Sequence, residues 1–444
     1  METNLKMNLK ITKHKMKVLY LTLFFVCSGF SLWAQESLGL AEAVTRALEN
    51  NYSMQIARSD QQVAEIRNNW GNAGRYPYIN LSAGDDNSLT LNEGDNVVTN
   101  RFSAGANINW TLFDGYSVRI NKSRFEELEQ LSRQNTAIMV EGTIQSVILA
   151  YYAVLLEKEK LEVFREVMQL SEDRFRQAED RKSFGTFVTY DVLQAQNAYL
   201  ADRSAFLLQQ VAWKNALRDL NYLMAEEENV TWELTSPFVA QPVDYALEDL
   251  QEGLFENNKI LQNQYVNQRL LENAVASAKS AFSPTLDFRG GVSGNTIRTS
   301  FSGRGDSWSH TANFYGNFTL SFNLFSGGNR KRALQIAEIE EQTGEIEIAD
   351  MQHDLSNRLA NLFEYYLVRK ELLKVADENL EAARLNLQIS RDKFESGAIN
   401  SFNFRDVQTI YLNASQQKLE AIYNFIDTHT ALLRMTGTII QEYE

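Results

Sequence analysis

Two stretches of the chain alternate strictly between apolar and polar side chains. Residues 102–113 show this pattern, and residues 314–325 repeat it 212 positions later. An alternation with a period of two predicts a strand with one apolar and one polar face. Each stretch has about the length that a tilted strand needs to cross the hydrocarbon layer, although the strand alone fits a soluble sandwich equally well. In a membrane, the side chains predicted to face lipid are Phe102, Ile108, Trp110, Leu112, Phe314, Phe318, Leu320 and Phe322.

Long amphipathic helices are predicted on either side of these strands. Residues 38–70 carry apolar side chains at every third or fourth position, which predicts one helix. Residues 115–225 contain no proline, and the apolar positions within 144–155 are spaced four, three and four, as in a coiled-coil seam. Gly185 interrupts this stretch, so we predict a long helical hairpin with its tip at that glycine. Residues 226–244 are predicted to be a linker across the outside.

The second half of the chain repeats the first. Pro284 follows Pro77 by 207 positions, and Gly397 follows Gly185 by 212 positions. We therefore predict an internal duplication of a helix, a β-hairpin and a helical hairpin. The predicted first unit is residues 35–236, with a β-hairpin at about 77–113 and a helical hairpin at about 115–225; the second is residues 237–444, with a β-hairpin at about 284–325 and a helical hairpin at about 327–437.

Residues 1–34 are predicted to be a secretory signal peptide. The apolar run 18–33 is preceded by lysines and followed by Ala34 and polar residues. A membrane anchor is the alternative, but the run is short for a spanning helix. Cys27 follows bulky side chains instead of the small ones of a bacterial lipoprotein signal, so a lipid anchor is not expected.

The charge of the chain argues against nucleic acid as a partner. The sequence has 43 basic and 57 acidic residues, and loss of residues 1–34 removes five lysines and Glu2, leaving 38 basic and 56 acidic. Such an acidic chain repels phosphate backbones, and no basic stripe offsets the charge. Cleavage would also remove Cys27, the single cysteine, so no disulfide is predicted.

The side chains that usually carry catalysis are not grouped in this sequence. The histidines are scattered, without metal-ligand spacing, and neither a nucleophile elbow nor a phosphate-binding glycine loop occurs. We predict no enzyme activity, no cofactor and no metal site. A periplasmic structural coiled-coil protein without a channel is the alternative to a membrane protein; it accounts for the helices but not for the duplicated hairpins.

Two hairpins supply only four strands per chain, which cannot close a membrane barrel. An open sheet edge in lipid leaves backbone N–H and C=O groups unpaired, at a cost of several kcal/mol per group. The smallest spanning barrels have eight strands. Two or three chains must therefore pool their strands, and the helices that continue from them would form a coaxial tube.

The sequence resembles the outer membrane efflux proteins of the TolC family over essentially all of the chain after the signal peptide. The resemblance rests on the duplication, the proline before each hairpin, the strand exits LFDG and LFSG, and the tips GTFVTYDVLQAQ and GAINSFNFRDVQ. It implies a mainly α fold with β: a homotrimer with a twelve-stranded outer-membrane barrel continued by a periplasmic α-helical barrel. It also implies an exit duct for small molecules or proteins, working with a periplasmic adaptor protein and an inner-membrane transporter.

The resemblance further implies two sets of functional residues. The hairpin tips that would contact the adaptor are Gly185, Thr186, Phe187, Val188, Gly397, Ala398, Ile399 and Asn400. The positions that would line a periplasmic gate are Asp191, Asn403 and Asp406. This chain departs from the family pattern at Asn403, where well-known members carry a carboxylate. It also has Phe394 and Ile399 where some members place the tyrosine and arginine of a latch.

Overall fold

The computed structural model describes residues 36–91, 96–302 and 304–443. The predicted signal peptide and Cys27 lie outside these residues. The elements in chain order are β1 (Glu36–Leu38), α1 (Leu40–Asn50), α2 (Tyr52–Arg67), β2 (Tyr78–Thr90), β3 (Val97–Phe113), α3 (Ser117–Ser183), α4 (Thr189–Met224), β4 (Trp232–Leu234), α5 (Leu247–Asn257), α6 (Lys259–Ser280), β5 (Thr285–Phe301), β6 (Gly305–Ser321), α7 (Asn329–Glu395), α8 (Ser401–Met435) and α9 (Ile439–Tyr443).

The two β-hairpins form one antiparallel sheet in the order β2-β3-β5-β6. Ile108 lies opposite Ile79 on one side and Gly290 on the other, and Phe288 lies opposite Phe318. Because directly opposed residues share a face, this register collects the apolar positions of all four strands on one side of the sheet. The rings of Phe288 and Phe318 are 4.9 Å apart on that side.

The strands differ in length from the prediction. The polar composition of residues 84–96 predicts a long turn in the first hairpin, but residues 84–90 continue β2 as far as the pair Thr90 and Val97, since the backbone ladder does not need an apolar face. In the second hairpin β6 ends at Ser321, short of the predicted residue 325. Its partner strand begins only at Thr285, after Pro284, so within the described part of the chain the residues beyond Ser321 have no ladder partner.

The long helices form two antiparallel pairs, α3 with α4 and α7 with α8. α3 and α7 each span 67 residues, or roughly 100 Å at 1.5 Å per residue. Within the described part of the chain, α3 is the one helix long and apolar enough to pass for a membrane span by length and composition alone. Its apolar segment is core: Ile144, Val147 and Ile148 are at most 1% exposed.

The predicted seam in α3 and the equivalent stretch of α7 each contain a buried tyrosine that binds the backbone of a segment outside the helices. The Tyr151 hydroxyl donates to the Leu38 carbonyl at 2.9 Å and accepts from the Ser236 N–H at 3.1 Å. In the second unit Tyr366 does the same with both backbone groups of Val243, at 2.7 and 3.0 Å. The predicted linker is therefore tied to the helices, and part of it, β4, pairs in parallel with β1.

The single helix predicted for residues 38–70 is wrong in detail, because Asn51 divides it into α1 and α2. The Asn51 side chain accepts from the N–H groups of Ser53 and Met54, which caps α2, and donates to the Leu223 carbonyl at 2.9 Å. Asn258 has the same double role before α6, accepting from the Leu261 N–H and donating to the Met435 carbonyl. An asparagine in each unit thus starts a helix and ties it to the end of the helical hairpin.

Glu141 is a carboxylate buried in the helical domain. It is 3% exposed, and within the described residues its Oε1 has no hydrogen-bond partner. Burial raises the pKa of Glu141 to about 7, although the positive charges of Lys259 and Arg434 act in the opposite direction. Because the folded state holds this proton more tightly than the unfolded state, Glu141 lowers stability as the pH rises from about 4.5 through 7.

We predict that Glu141→Gln stabilises the protein at pH 8, by up to about 3 kcal/mol, and has little effect at pH 4.5. The neutral amide removes the cost of burying a charge. Thermal unfolding of the detergent-solubilised protein at both pH values measures this difference. Glu159→Gln, an exposed site on the same helix, is the control and should change neither midpoint. An equal shift for Glu141→Gln at pH 4.5 and pH 8 would contradict the assignment.

Candidate functional site at the helical-hairpin tips

The first tip is a tight turn between α3 and α4. Gly185 has a φ of +75°, and no atom lies within 4 Å of where its Cβ would stand. The N–H and the hydroxyl of Thr186 both donate to the Arg181 carbonyl, at 3.0 and 2.8 Å. Glycine is therefore required here by the backbone conformation and not by crowding. Val188 is exposed, and Phe187 is half-buried against the turn.

The second tip repeats this turn between α7 and α8. Gly397 has a φ of +78°, and the Ala398 N–H donates to the Lys393 carbonyl at 2.8 Å. The Asn400 side chain accepts from the Asn403 N–H at 2.9 Å and so caps α8. Ile399 is half-buried against an apolar cluster. The eight predicted tip residues therefore lie in two matching turns.

Arg181 joins the two tips within one chain. One of its guanidinium nitrogens, Nη2, donates to the carbonyls of Phe394 and Glu395 at 3.4 and 3.3 Å, at the C-terminal end of α7. The same guanidinium lies over the rings of Phe187 and Phe394, 5.4 and 5.3 Å from their centroids. Phe394 in turn stacks on Phe404 at 5.1 Å. A cation at a helix C-terminus and two aromatic faces therefore hold the tips side by side.

Of the predicted gate residues, Asp191 and Asn403 lie in the first turns of α4 and α8, and Asp406 lies in the second turn of α8. Asp191 accepts from the Val188 N–H at 3.2 Å, so its carboxylate closes the start of α4. Asn403 and Asp406 are exposed and three residues apart, on one face of α8. Within the described residues, no hydrogen bond or ion pair joins the side chains of these three residues.

A buried polar network that sequence reasoning missed lies just behind the tips. Arg405 of α8 forms a two-pronged ion pair with Asp202 of α4, at 2.5 and 2.7 Å. Asp202 also accepts from the Ser171 hydroxyl of α3. Arg174 of α3, 3% exposed, reaches Gln408 Oε1 of α8 at 3.4 Å. The network therefore connects the first helical hairpin to the second.

This network carries more positive than negative charge. Burial and the nearby positive charge of Arg405 lower the pKa of Arg174 to about 10, although the negative charge of Asp202 acts in the opposite direction. Two buried donors, Arg174 Nε and Gln408 Nε2, have no partner among the described residues. A signal was present in the sequence: Ser171 and Arg174 continue a four, three, four seam from Val167 to Ala178, which places them in the interior.

The predicted lipid-facing residues share one side of the sheet, with two exceptions. Trp110 lies opposite Phe288, and Phe318 is 69% exposed on the same side. A bulge in β3 leaves Leu112 without a direct partner, and Phe113 takes the position opposite Leu286. Phe322 lies beyond the end of β6. The other predicted residues on this side are Phe102, Ile108, Phe314 and Leu320.

We predict that Asp202→Asn loosens the junction of the two hairpins. The change leaves Arg174 and Arg405 without a buried counter-ion, and breaking a buried pair of this kind costs about 3 kcal/mol. Hydrogen exchange should rise in residues 171–178 and 401–408 and stay constant in the core around Ile148.

The matched control is Asp377→Asn. Asp377 pairs with Lys418 between α7 and α8, but its side chain is 64% exposed, so its loss should have little effect. If Asp202→Asn and Asp377→Asn gave the same exchange pattern, the buried network would not be what holds the junction.

Comparison with known proteins identifies the family. Residues 43–226 and 251–438 match the family described as "Outer membrane efflux protein". The probable outer membrane lipoprotein SilC of Salmonella typhimurium is 22% identical over 88% of this chain and 85% of its own length. The cation efflux system protein CusC of Escherichia coli O157:H7 is 22% identical, with 88% and 84% covered. The outer membrane protein TolC of Vibrio cholerae is 21% identical, with 93% of both chains covered.

Solved structures share the fold. A crystal structure of CusC superposes with a TM-score of 0.73 at 17% identity, over 92% of this chain and 96% of that chain. The MtrE outer membrane channel of Neisseria gonorrhoeae superposes with a TM-score of 0.70 at 14% identity, over 90% and 89%. The match favours an outer membrane channel over a structural coiled-coil protein. With both halves of its duplication matched, this chain belongs to the outer membrane efflux protein family.

Proposed function

We propose that three copies of this chain form the outer membrane exit duct of a tripartite efflux or type I secretion system. Twelve strands would close a barrel in the outer membrane, and the long helices would continue it into the periplasm. Small molecules or proteins would enter from an inner-membrane transporter through a periplasmic adaptor. The observation that carries this proposal is the open four-stranded sheet with one apolar face.

Both edges of the sheet support assembly. Among the residues that the structure describes, β2 pairs only with β3 and β6 pairs only with β5, so each edge presents a row of backbone groups. In lipid these groups must find partners in another chain. The opposite face carries mainly asparagine, serine and threonine, as in Asn107, Asn109 and Asn317, which suits a water-filled lumen.

The helices also carry apolar stripes that suit a neighbouring copy. On α7 the exposed residues Tyr365, Val368, Leu372 and Val375 are spaced three, four and three, and each is at least 49% exposed. On α4 the exposed leucines Leu193, Leu200 and Leu207 recur every seven residues. Heptad stripes of this kind pack against other helices. The open sheet edges require a second copy of the chain, and the same copy would cover these apolar stripes.

The duplication specifies a register between subunits. Within the hairpins, Ile79 lies opposite Ile108, and shifts of 207 and 212 turn this pair into Leu286 and Leu320, which are also opposite. Ile108 of β3 lies opposite Gly290 of β5. The residue 212 positions after Ile108 is Leu320, and the residue 207 positions before Gly290 is Ala83. The duplication therefore places Leu320 opposite Ala83 of the next subunit.

The same operation accounts for the short β6. The pair Trp110 and Phe288 becomes Phe322 opposite Leu81 of the next subunit, so residues beyond Ser321 would join the sheet only on assembly. In this register, residues 322–325 would pair with β2 of the next subunit.

We predict that cysteines at Leu320 and Ala83 cross-link neighbouring subunits. Directly opposed Cβ atoms are about 4.5–5.5 Å apart, whereas diagonal ones are about 7–8 Å apart. Oxidation of the double variant should give covalent oligomers on denaturing gels, and the predicted loss of Cys27 removes background.

The matched control moves one cysteine by two residues, to Asp85, on the same face. It should cross-link at least about fivefold more weakly, because disulfide formation requires close Cβ atoms. Stronger linkage through Asp85 would refute the register. Light scattering tests the subunit number separately, and a mass other than three chains would refute the trimer.

The tip turns at Gly185 and Gly397 are proposed to contact the adaptor. Their exposed side chains, including Phe184 at 82% and Val188 at 64%, offer apolar area at the periplasmic end. The gate is proposed to consist of Asp406 and Asn403, with Asp191 contributing less because its carboxylate caps α4.

We predict that Asp406→Ala raises single-channel conductance or lowers cation selectivity in planar bilayers. Three exposed carboxylates around a narrow axis would attract and retain cations. The effect should be largest at low salt, where screening is weakest. Asp191→Ala should have a smaller effect. Identical currents for wild type and Asp406→Ala at low salt would remove Asp406 from the gate.

A further inference from the structure

A cavity of about 580 Å³ lies where the first β-hairpin joins α3. It contains both aromatic and cationic side chains. Its lining includes Trp70, Arg75, Trp110, Phe113, Tyr116 and Arg119. Since Trp110 and Phe113 belong to the apolar side of the sheet, the cavity adjoins the end of the surface proposed to face lipid.

Two arginines in this cavity are held by aromatic rings. The Arg75 guanidinium lies 4.8 Å from the centroid of Trp70, and the Arg119 guanidinium lies 5.8 Å from that of Tyr116. In the part of the chain that the structure describes, neither guanidinium makes a hydrogen bond or an ion pair. Cation–π contact orients a guanidinium but leaves its N–H donors available.

Neighbouring contacts position the backbone of Arg75 and the ring on which Arg119 lies. The Trp110 indole N–H donates to the Arg75 carbonyl at 3.0 Å, and Phe113 packs edge-on against Tyr116 at 5.5 Å. Asp114 also lines the cavity, but its Oδ2 accepts from the Val118 N–H at 3.0 Å and caps α3. Nearby Lys122 is paired with Glu126. The free donors at the cavity therefore come from Arg75 and Arg119.

We propose that this cavity binds the phosphate of a phospholipid headgroup in the periplasmic leaflet of the outer membrane. Guanidinium groups match phosphate oxygens with two parallel hydrogen bonds, and aromatic side chains are favoured at the level of headgroups. The acyl chains would lie along Trp110 and the apolar face. This inference rests on the proposed orientation of the barrel, in which the helix end of the strands faces the periplasm.

The duplication indicates that the site occurs once per chain. In the second unit, Ser277 and Phe282 stand at the positions of Trp70 and Arg75, and Lys331 stands at that of Arg119. The second unit also has a guanidinium over an aromatic ring, Arg330 on Phe282 at 5.2 Å, but this guanidinium donates to the carbonyls of Ala281 and Asn323. The second unit therefore lacks a pair of guanidinium groups with free donors. A trimer would hold three such lipid sites, each on the first unit.

The test is native mass spectrometry of the full chain, purified in detergent and incubated with phosphatidylglycerol. We expect up to three lipids to be retained per trimer. Arg75→Gln combined with Arg119→Gln should lower retention at least tenfold, because each arginine near a headgroup contributes to binding. Lys331→Gln, which removes a charge at the same depth, should retain the lipids as wild type does.

Three outcomes would overturn the proposal. One is equal retention by the double variant and wild type, and another is an equal loss in Lys331→Gln. The third is displacement of the lipid by 10 mM inorganic phosphate, which would identify a site for free phosphate. The spectra also report the number of subunits directly, so a failed trimer is distinguishable from a failed lipid site. If the double variant does not assemble, Trp fluorescence of the wild type titrated with phosphatidylglycerol and with phosphate decides between the two ligands.

Discussion

The backbone groups at the two edges of the four-stranded sheet determine how this protein is built. A membrane offers no water to satisfy these groups, so the edge strands of a four-stranded chain need hydrogen-bond partners from other chains. Both outer edges of the sheet are unpaired among the described residues, and the apolar face of the sheet is the side that lipid would cover. The need for partners from other chains explains why residues 322–325, which continue the alternating pattern, lie outside the ladder in a single chain.

The duplication allows one chain to supply two similar structural units to the same tube. The paired roles of Asn51 and Asn258, and of Tyr151 and Tyr366, show that side-chain hydrogen bonds were retained along with the helices. The two halves nevertheless differ at the membrane edge, where the first has Trp70 and Arg75 and the second has Ser277 and Phe282. Elements required for closure are thus repeated, and side chains at the surface are free to diverge.

The sequence predicted the elements that depend on periodicity and missed those that depend on single side chains. The strands follow from alternation and the seams from heptad spacing. The tips follow from glycine, which favours turns with φ above zero. All three signals are local. The break at Asn51 was missed because the apolar period continues across it, and only the cap to Ser53 and Met54 shows it. The pair of Arg405 and Asp202 joins residues 203 positions apart, and no local pattern connects them.

The interior changes character along the length of the helices. Around Ile148 and Leu359 the hairpins are held by apolar side chains that are fully buried, and separating them would expose that area to water. Behind the tips, the charged side chains of Arg405, Asp202 and Arg174 join a smaller apolar cluster between the same helices. When charged side chains become exposed to water, their hydration offsets part of the lost attraction, whereas exposure of an apolar core to water is only unfavourable. The end of the tube proposed to open is therefore also the end where the contacts between the hairpins are most readily replaced.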